Sequence, residues 1–147
     1  MAKDMNIGAL RTNCFRQSKV KGEFMLQMRV PGGLIEAKYL SFVQHLAQDY
    51  GDGTFHFGSR QCFEIPGIKY ENIDKVNAEL KDYLDEVEVE MCNVDMDTSA
   101  GYPTIGARNI MACIGGIHCI KANINTQEMA KKIEKEVFPS HYHIKVA

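Results

Sequence analysis

The chain has 147 residues, 45% hydrophobic and 24% charged, and its 17 basic and 19 acidic residues leave a net charge of −2. This is the balance of a modest globular protein, and it excludes a disordered chain, a collagen-like repeat and a coiled coil. No basic field points to nucleic acid, no apolar run approaches the ~20 residues that span a bilayer, and the opening MAKDMNIGALRTNC has no apolar secretory segment.

Residues 1–22 are mixed, with a basic bias at Arg11, Arg16, Lys19 and Lys21. From Phe24 the pattern alternates: Phe24, Leu26, Met28 and Val30 are apolar, while Gln27 and Arg29 point the other way. Period two predicts a strand with one buried face. Pro31-Gly32-Gly33 stops it, because proline lacks a ladder donor and glycine reaches dihedrals closed to other residues. A helix over roughly 36–50 follows, with Leu40, Val43, Leu46, Ala47 and Tyr50 as its apolar stripe. Gly51-Asp52-Gly53 ends it. Two short extended runs, 54–57 and 61–65, flank a bend at Gly58-Ser59-Arg60, and Pro66-Gly67 closes the second run.

The second helix is expected over roughly 71–84, burying Ile73, Val76, Leu80 and Leu84. An acidic strand over 86–91 completes the order strand, helix, strand, strand, helix, strand. That order is the ferredoxin-like split βαβ arrangement, an α+β fold. Residues 92–107 are turn-rich and read as a linker. A short apolar stretch at 109–113 and a glycine break at Gly115-Gly116 precede a third helix over roughly 126–138. Asn125 and Glu128 form its capping box, and Met129, Ile133 and Val137 its apolar stripe. Residues 141–147 read as a strand.

Five cysteines, an odd number, exclude a fully paired disulfide framework within one chain and favour a reducing, cytoplasmic setting. Cys113 and Cys119 form a C-x5-C pair enclosing two glycines. Zinc sites use tighter spacings, whereas thiolates with nearby backbone amides suit an iron–sulfur cluster. Two buried thiols beside a glycine turn would give the same pattern. Cys14, Cys62 and Cys92 stand alone, and His118 lies inside the loop.

The arginines Arg11, Arg16, Arg29, Arg60 and Arg108 lie outside the predicted helices, where their planar heads can meet carboxylates or oxyanions. Strand alternation puts Arg29 opposite the core face, so a surface salt bridge is its default role. His141, His143 and Lys145 share one strand face and could hold an anion or deliver protons; a solvent-facing polar strand is the competing reading. His45 and His56 are read as ordinary, partly buried residues.

Several segments together resemble the siroheme-containing sulfite and nitrite reductases. Phe24 to Gly33 resembles the strand and R-x-P-G-G turn that open a half-domain of that family. Gly58-Ser-Arg-Gln61 resembles its R-Q bend, Arg108-Asn109 its R-N segment, and Cys113 to Cys119 its first cluster pair. The resemblance spans about residues 22–147. It implies a ferredoxin-like half-domain over 1–92 and the beginning of a siroheme and iron–sulfur domain over 93–147. It implies the six-electron reduction of sulfite or nitrite at a siroheme coupled to a [4Fe–4S] cluster, fed by an electron-donor subunit or a ferredoxin-type protein.

By position, the resemblance makes Cys113 and Cys119 cluster ligands and Arg60, Gln61 and Asn109 siroheme contacts. It makes Arg29 and Arg108 the arginines that face the anion. His141 and His143 stand where the family usually has lysines; Lys145 keeps one. The family's second pair, C-x3-C, would follow residue 147, so this chain alone is expected to lack both cofactors and activity. A homodimer through the half-domain is a further expectation. The alternative is a ferredoxin-like regulatory or metal-binding module.

Overall fold

The computed structural model describes Leu10 and residues 15–86, 109–116 and 118–137. The expected strands at 86–91 and 141–147, the linker at 92–107 and the 92/93 domain boundary lie outside these residues.

Four antiparallel strands form one sheet in the order β1-β2-β4-β3: β1 (Phe15–Gln17), β2 (Glu23–Met28), β3 (His56–Phe57) and β4 (Phe63–Lys69). Helix α1 (Leu40–Asp49) connects β2 to β3, and α2 (Ile73–Glu86) follows β4. Because β4 lies between β2 and β3, the segment from β2 to β4 has the split βαβ topology expected from the sequence.

The predicted alternation holds. Phe24, Leu26, Met28 and Val30 are buried, as are Phe63, Ile65 and Ile68 of β4. They meet Val43, Leu46 and Ala47 of α1 and Ile73, Val76 and Leu80 of α2 in one apolar core. The opposite face carries a polar row across all four strands. Arg16 Nε donates to Gln27 Oε1 (3.1 Å), Gln27 Nε2 donates to Glu64 Oε1 (2.8 Å), and His56 Nδ1 lies 3.0 Å from Glu64 Oε2. His56, expected to be half-buried, is exposed.

Three elements differ from expectation. Strand β1 has no counterpart in the sequence pattern; its three residues are too few for a visible period, and only Phe15 enters the core. Pro66-Gly67 does not end β4. The pairs Phe24↔Ile68 and Leu26↔Ile65 leave Pro66 and Gly67 opposite Met25 alone, which is a β-bulge. Proline is tolerated there because the extra residue needs no ladder donor, and Gly67 supplies φ 82°. Leu40 lies in the first turn of α1 and is 45% exposed, so the buried stripe begins at Val43.

Helix α3 (Thr126–Val137) starts at the expected Asn125 cap: Glu128 N donates to Asn125 Oδ1 (3.2 Å), while the return contact of the expected box joins side chains, Asn125 Nδ2 to Glu128 Oε2 (3.5 Å). Its buried residues are not those of the expected stripe. Met129 is 48% exposed, while Ala130 and Glu134 are buried. The physical reason is its neighbour: α3 packs on the Pro31–Gly33 turn, whose close backbone admits a small side chain and presents polar groups.

Candidate functional site

Four segments far apart in sequence converge at the end of β2: the Pro31–Gly33 turn, the Arg60-Gln61 bend, residues 109–113 and the start of α3. Asn109 is the hub. Its Oδ1 accepts from Val30 N (2.9 Å), and its Nδ2 donates to Val30 O (2.9 Å) and Arg60 O (2.8 Å). One buried side chain thereby pairs with the backbone as a strand would. Gly32 N donates to Ile110 O (2.8 Å), extending the attachment by one residue.

Gln61 repeats this device. Its Nε2 donates to Ala112 O (3.0 Å) and its Oε1 accepts from Ala112 N (3.0 Å). The bend that presents it is tight: Gly58 N donates to Cys62 O (2.7 Å) and Gln61 N to Gly58 O (3.0 Å). Gln61 itself has φ 58°, a left-handed conformation costing about 1–2 kcal/mol in a non-glycine residue. A Cβ on Gly33 would stand 2.7 Å from Gln61 Cβ, so glycine is required where turn and bend touch.

Helix α3 closes the junction from the other side. Gln127 Nε2 donates to both Gly32 O (3.0 Å) and Cys113 O (2.9 Å). Thr126 Oγ1 also donates to Cys113 O (2.8 Å), and the Cys113 thiol lies 3.6 Å from that hydroxyl. Cys113 is exposed, Cys119 is half-buried, and both are free thiols. The loop between them turns through Gly115 and Gly116 at positive φ. A Cβ on Gly115 would fall 2.1 Å from Thr126 Oγ1, so the loop lies hard against the helix start.

Arg29 departs from its expected surface salt bridge. It is 4% exposed and forms a buried ion pair with Glu134 of α3, which is 3% exposed. Arg29 Nε donates to Glu134 Oε1 at 2.7 Å, and Nη2 approaches the same oxygen. The pair is buried because α3 packs over the end of β2, where the alternation of an isolated strand would leave residue 29 in water. Burial pushes the Glu134 carboxyl above its ordinary value, and Arg29 pulls against that shift.

The structure thus brings together Arg29, Arg60, Gln61, Asn109 and Cys113, with Cys119 along the same loop. It gives these groups different surroundings. Gln61 and Asn109 direct their amides to backbone, whereas the Arg60 guanidinium, half-buried, makes no hydrogen bond or ion pair among the described residues. Arg108, His141, His143 and Lys145 lie outside the described residues. His118 is exposed. Cys62 is buried, and burial pushes its thiol up, which keeps it protonated and inert. Thr126, Gln127 and Glu134 are not singled out by the sequence motifs. Their one signal is a small and polar face, Gln127, Ala130 and Glu134, at helical spacing beside the apolar one.

Residues 16–83 match the nitrite/sulfite reductase ferredoxin-like half domain. Residues 16–83 are thus similar to a ferredoxin-like half domain of the nitrite and sulfite reductases. The chain is 46% identical to an anaerobic sulfite reductase subunit of Salmonella typhimurium over 99% of this chain and 44% of that protein. It is 28% identical to the sulfite reductase [NADPH] hemoprotein beta-component of Bacillus pumilus over 80% of this chain and 18% of that protein. A 58-residue stretch is 41% identical to the sulfite reductase [ferredoxin] of Synechococcus elongatus, covering 36% of this chain and 9% of that protein. The chain therefore spans less than half the length of these relatives. Among its described residues no helix is long and apolar enough to cross a membrane.

Proposed function

We propose that this chain is part of a cytoplasmic enzyme subunit that reduces sulfite, or nitrite, at a siroheme coupled to a [4Fe–4S] cluster. The observation that carries the reading is the keyed position of the first thiol. Cys113 is tied through its carbonyl to both Thr126 and Gln127, and Gln127 ties it on to the Pro31–Gly33 turn. A half-domain whose turn is bonded to a cysteine loop suits a protein that must hold a cluster against a substrate site.

The donor set fits the cluster in kind. Cys113 and Cys119 are free thiols on one glycine-rich loop, and a [4Fe–4S] cluster takes four thiolates. Among the described residues no three metal-ligating side chains gather, so these two would be half of the set. When bound, the siroheme and cluster would relay electrons and offer an iron to the anion. This chain's residues would do the rest. Arg60 has its guanidinium available for siroheme carboxylates, with Gln61 and Asn109 forming the wall beside it. Arg29 and Arg108 would face the anion, and His141, His143 and Lys145 would deliver protons. Electrons would come from a donor subunit or a ferredoxin-type protein, and the half-domain would pair with a second copy in a homodimer.

The test is anaerobic reconstitution of the natural full-length protein with iron, sulfide and siroheme. Wild type is expected to develop haem and cluster absorption bands, and Cys113→Ser and Cys119→Ser each to lose the cluster. A full iron complement in both variants would sink the assignment, leaving a regulatory module as the better description.

A further inference from the structure

The ion pair between Arg29 and Glu134 is hard to reconcile with a simple anion-binding arginine. A buried guanidinium already bonded to a carboxylate carries no net charge toward a second anion. We infer that Glu134 is the positioning residue for Arg29, and that an oxyanion engages Arg29 only as Glu134 takes up a proton. This rests on the proposed reading that Arg29 faces the anion.

Geometry supports the exchange. Nε and Nη2 of Arg29 converge on Oε1 of Glu134. The other oxygen, Oε2, is buried and meets no hydrogen-bond donor among the described residues. That oxygen is where the incoming proton would reside. One proton passes from solvent to Oε2, the pair gains one positive charge, and the anion neutralises it; no electron moves. Once the anion has taken the guanidinium, a buried unpaired carboxylate would be costly, so protonation and anion binding favour each other. Linkage makes the coupling reciprocal.

Arg29 is the charged group that acts on the Glu134 carboxyl. On α3, Lys131, Lys132 and Lys135 are exposed. The turn packed against α3 contributes Pro31, Gly32 and Gly33, and the Gln127 and Ala130 side chains that meet it are neutral. From the β3–β4 side the Cys62 thiol feels Arg29 and Glu64 but is held neutral by burial. Burial has already biased the Glu134 carboxyl toward its protonated form.

The experiment uses the siroheme-loaded full-length protein with nitrite as probe, because nitrite stays a monoanion from about pH 6 to about pH 8.5 whereas sulfite itself titrates there. Nitrite affinity and proton uptake, the latter by indicator dye in weak buffer, are measured together. Wild type is expected to take up a proton with nitrite and to lose affinity toward high pH, by up to about tenfold per unit for one linked proton. Glu134→Gln keeps the shape and can still accept from Arg29, but carries no charge. It is expected to bind nitrite more tightly than wild type at the alkaline end, without the Glu134 proton. Uptake unchanged in Glu134→Gln would overturn the proposal and assign the proton elsewhere, for example to His141 or His143. No uptake in wild type would overturn it without any variant. If Arg29→Ala leaves nitrite affinity unaltered, the underlying reading of Arg29 fails instead.

Discussion

Within ten residues, the strand that opens the half-domain changes its means of attachment. Phe24, Leu26 and Met28 pack into an apolar core against α1 and α2. Arg29, Val30 and Gly32 then meet a carboxylate, an asparagine amide, a glutamine amide and a backbone carbonyl. The first region is held by area removed from water, which is forgiving of detail and largely additive. The second is held by individual hydrogen bonds in a dry setting, where each missing partner strands another buried polar group. The lesson is one of division: the core makes a stable platform, and the polar junction fixes how the cysteine loop is mounted on it.

The sharpest way to break that division is to remove a core side chain. Phe24→Ala should cost about 3–5 kcal/mol and unfold platform and junction together. Urea unfolding followed by circular dichroism should move to a lower midpoint, and a change confined to residues 109–137 would contradict the comparison. Asn109→Ala should cost about 2–3 kcal/mol at the junction, because it strands the buried amide and carbonyl of Val30. Here hydrogen exchange is the measurement: Val30 and Gly32 should lose protection while β4 amides keep theirs. Equal loss in both regions would merge them into one unit.

The smallest expected effect is on pH dependence. Glu134 has an ordinary value of 4.5 and is raised by burial in the folded chain. The folded state therefore binds this proton more tightly than the unfolded state. Stability from this group is greatest below the ordinary value and declines as pH rises from there through the raised folded value. The difference in unfolding free energy between wild type and Glu134→Gln should grow in the variant's favour across that window and then level off. A constant difference would place the carboxyl at its ordinary value and weaken the case for a carboxyl raised by burial.

Much of the platform was legible because periodicity reports burial. The alternation at Phe24 to Val30, the stripe from Val43 to Ala47, and Ile73, Val76 and Leu80 all face the core as the spacing implies. The Asn125 cap on Glu128 N was legible because its partners are local. The bulge at Pro66-Gly67 reads as a stop because proline and glycine punctuate both kinds of feature. The junction is hidden for a different reason. Asn109 bonds residues 48 to 79 positions away, and Arg29 meets Glu134 across 105 positions. No local pattern encodes such partners, and Met129 of the apolar stripe of α3 is exposed while Ala130 and Glu134 are buried. The motifs R-x-P-G-G, R-Q, R-N and C-x5-C are visible one by one; that four separate chain segments meet at one turn is not.

Arg60 and Gln61 are neighbours on one tight bend, yet one side chain is bound into the scaffold and the other is left at liberty among the described residues. Adjacent positions are therefore under separate constraints. A library randomised at both and sorted only for soluble expression would narrow at position 61 and stay diverse at 60. The bend thus offers an adjustable position next to a fixed one, where ligand contacts could drift over generations without the fold registering the change.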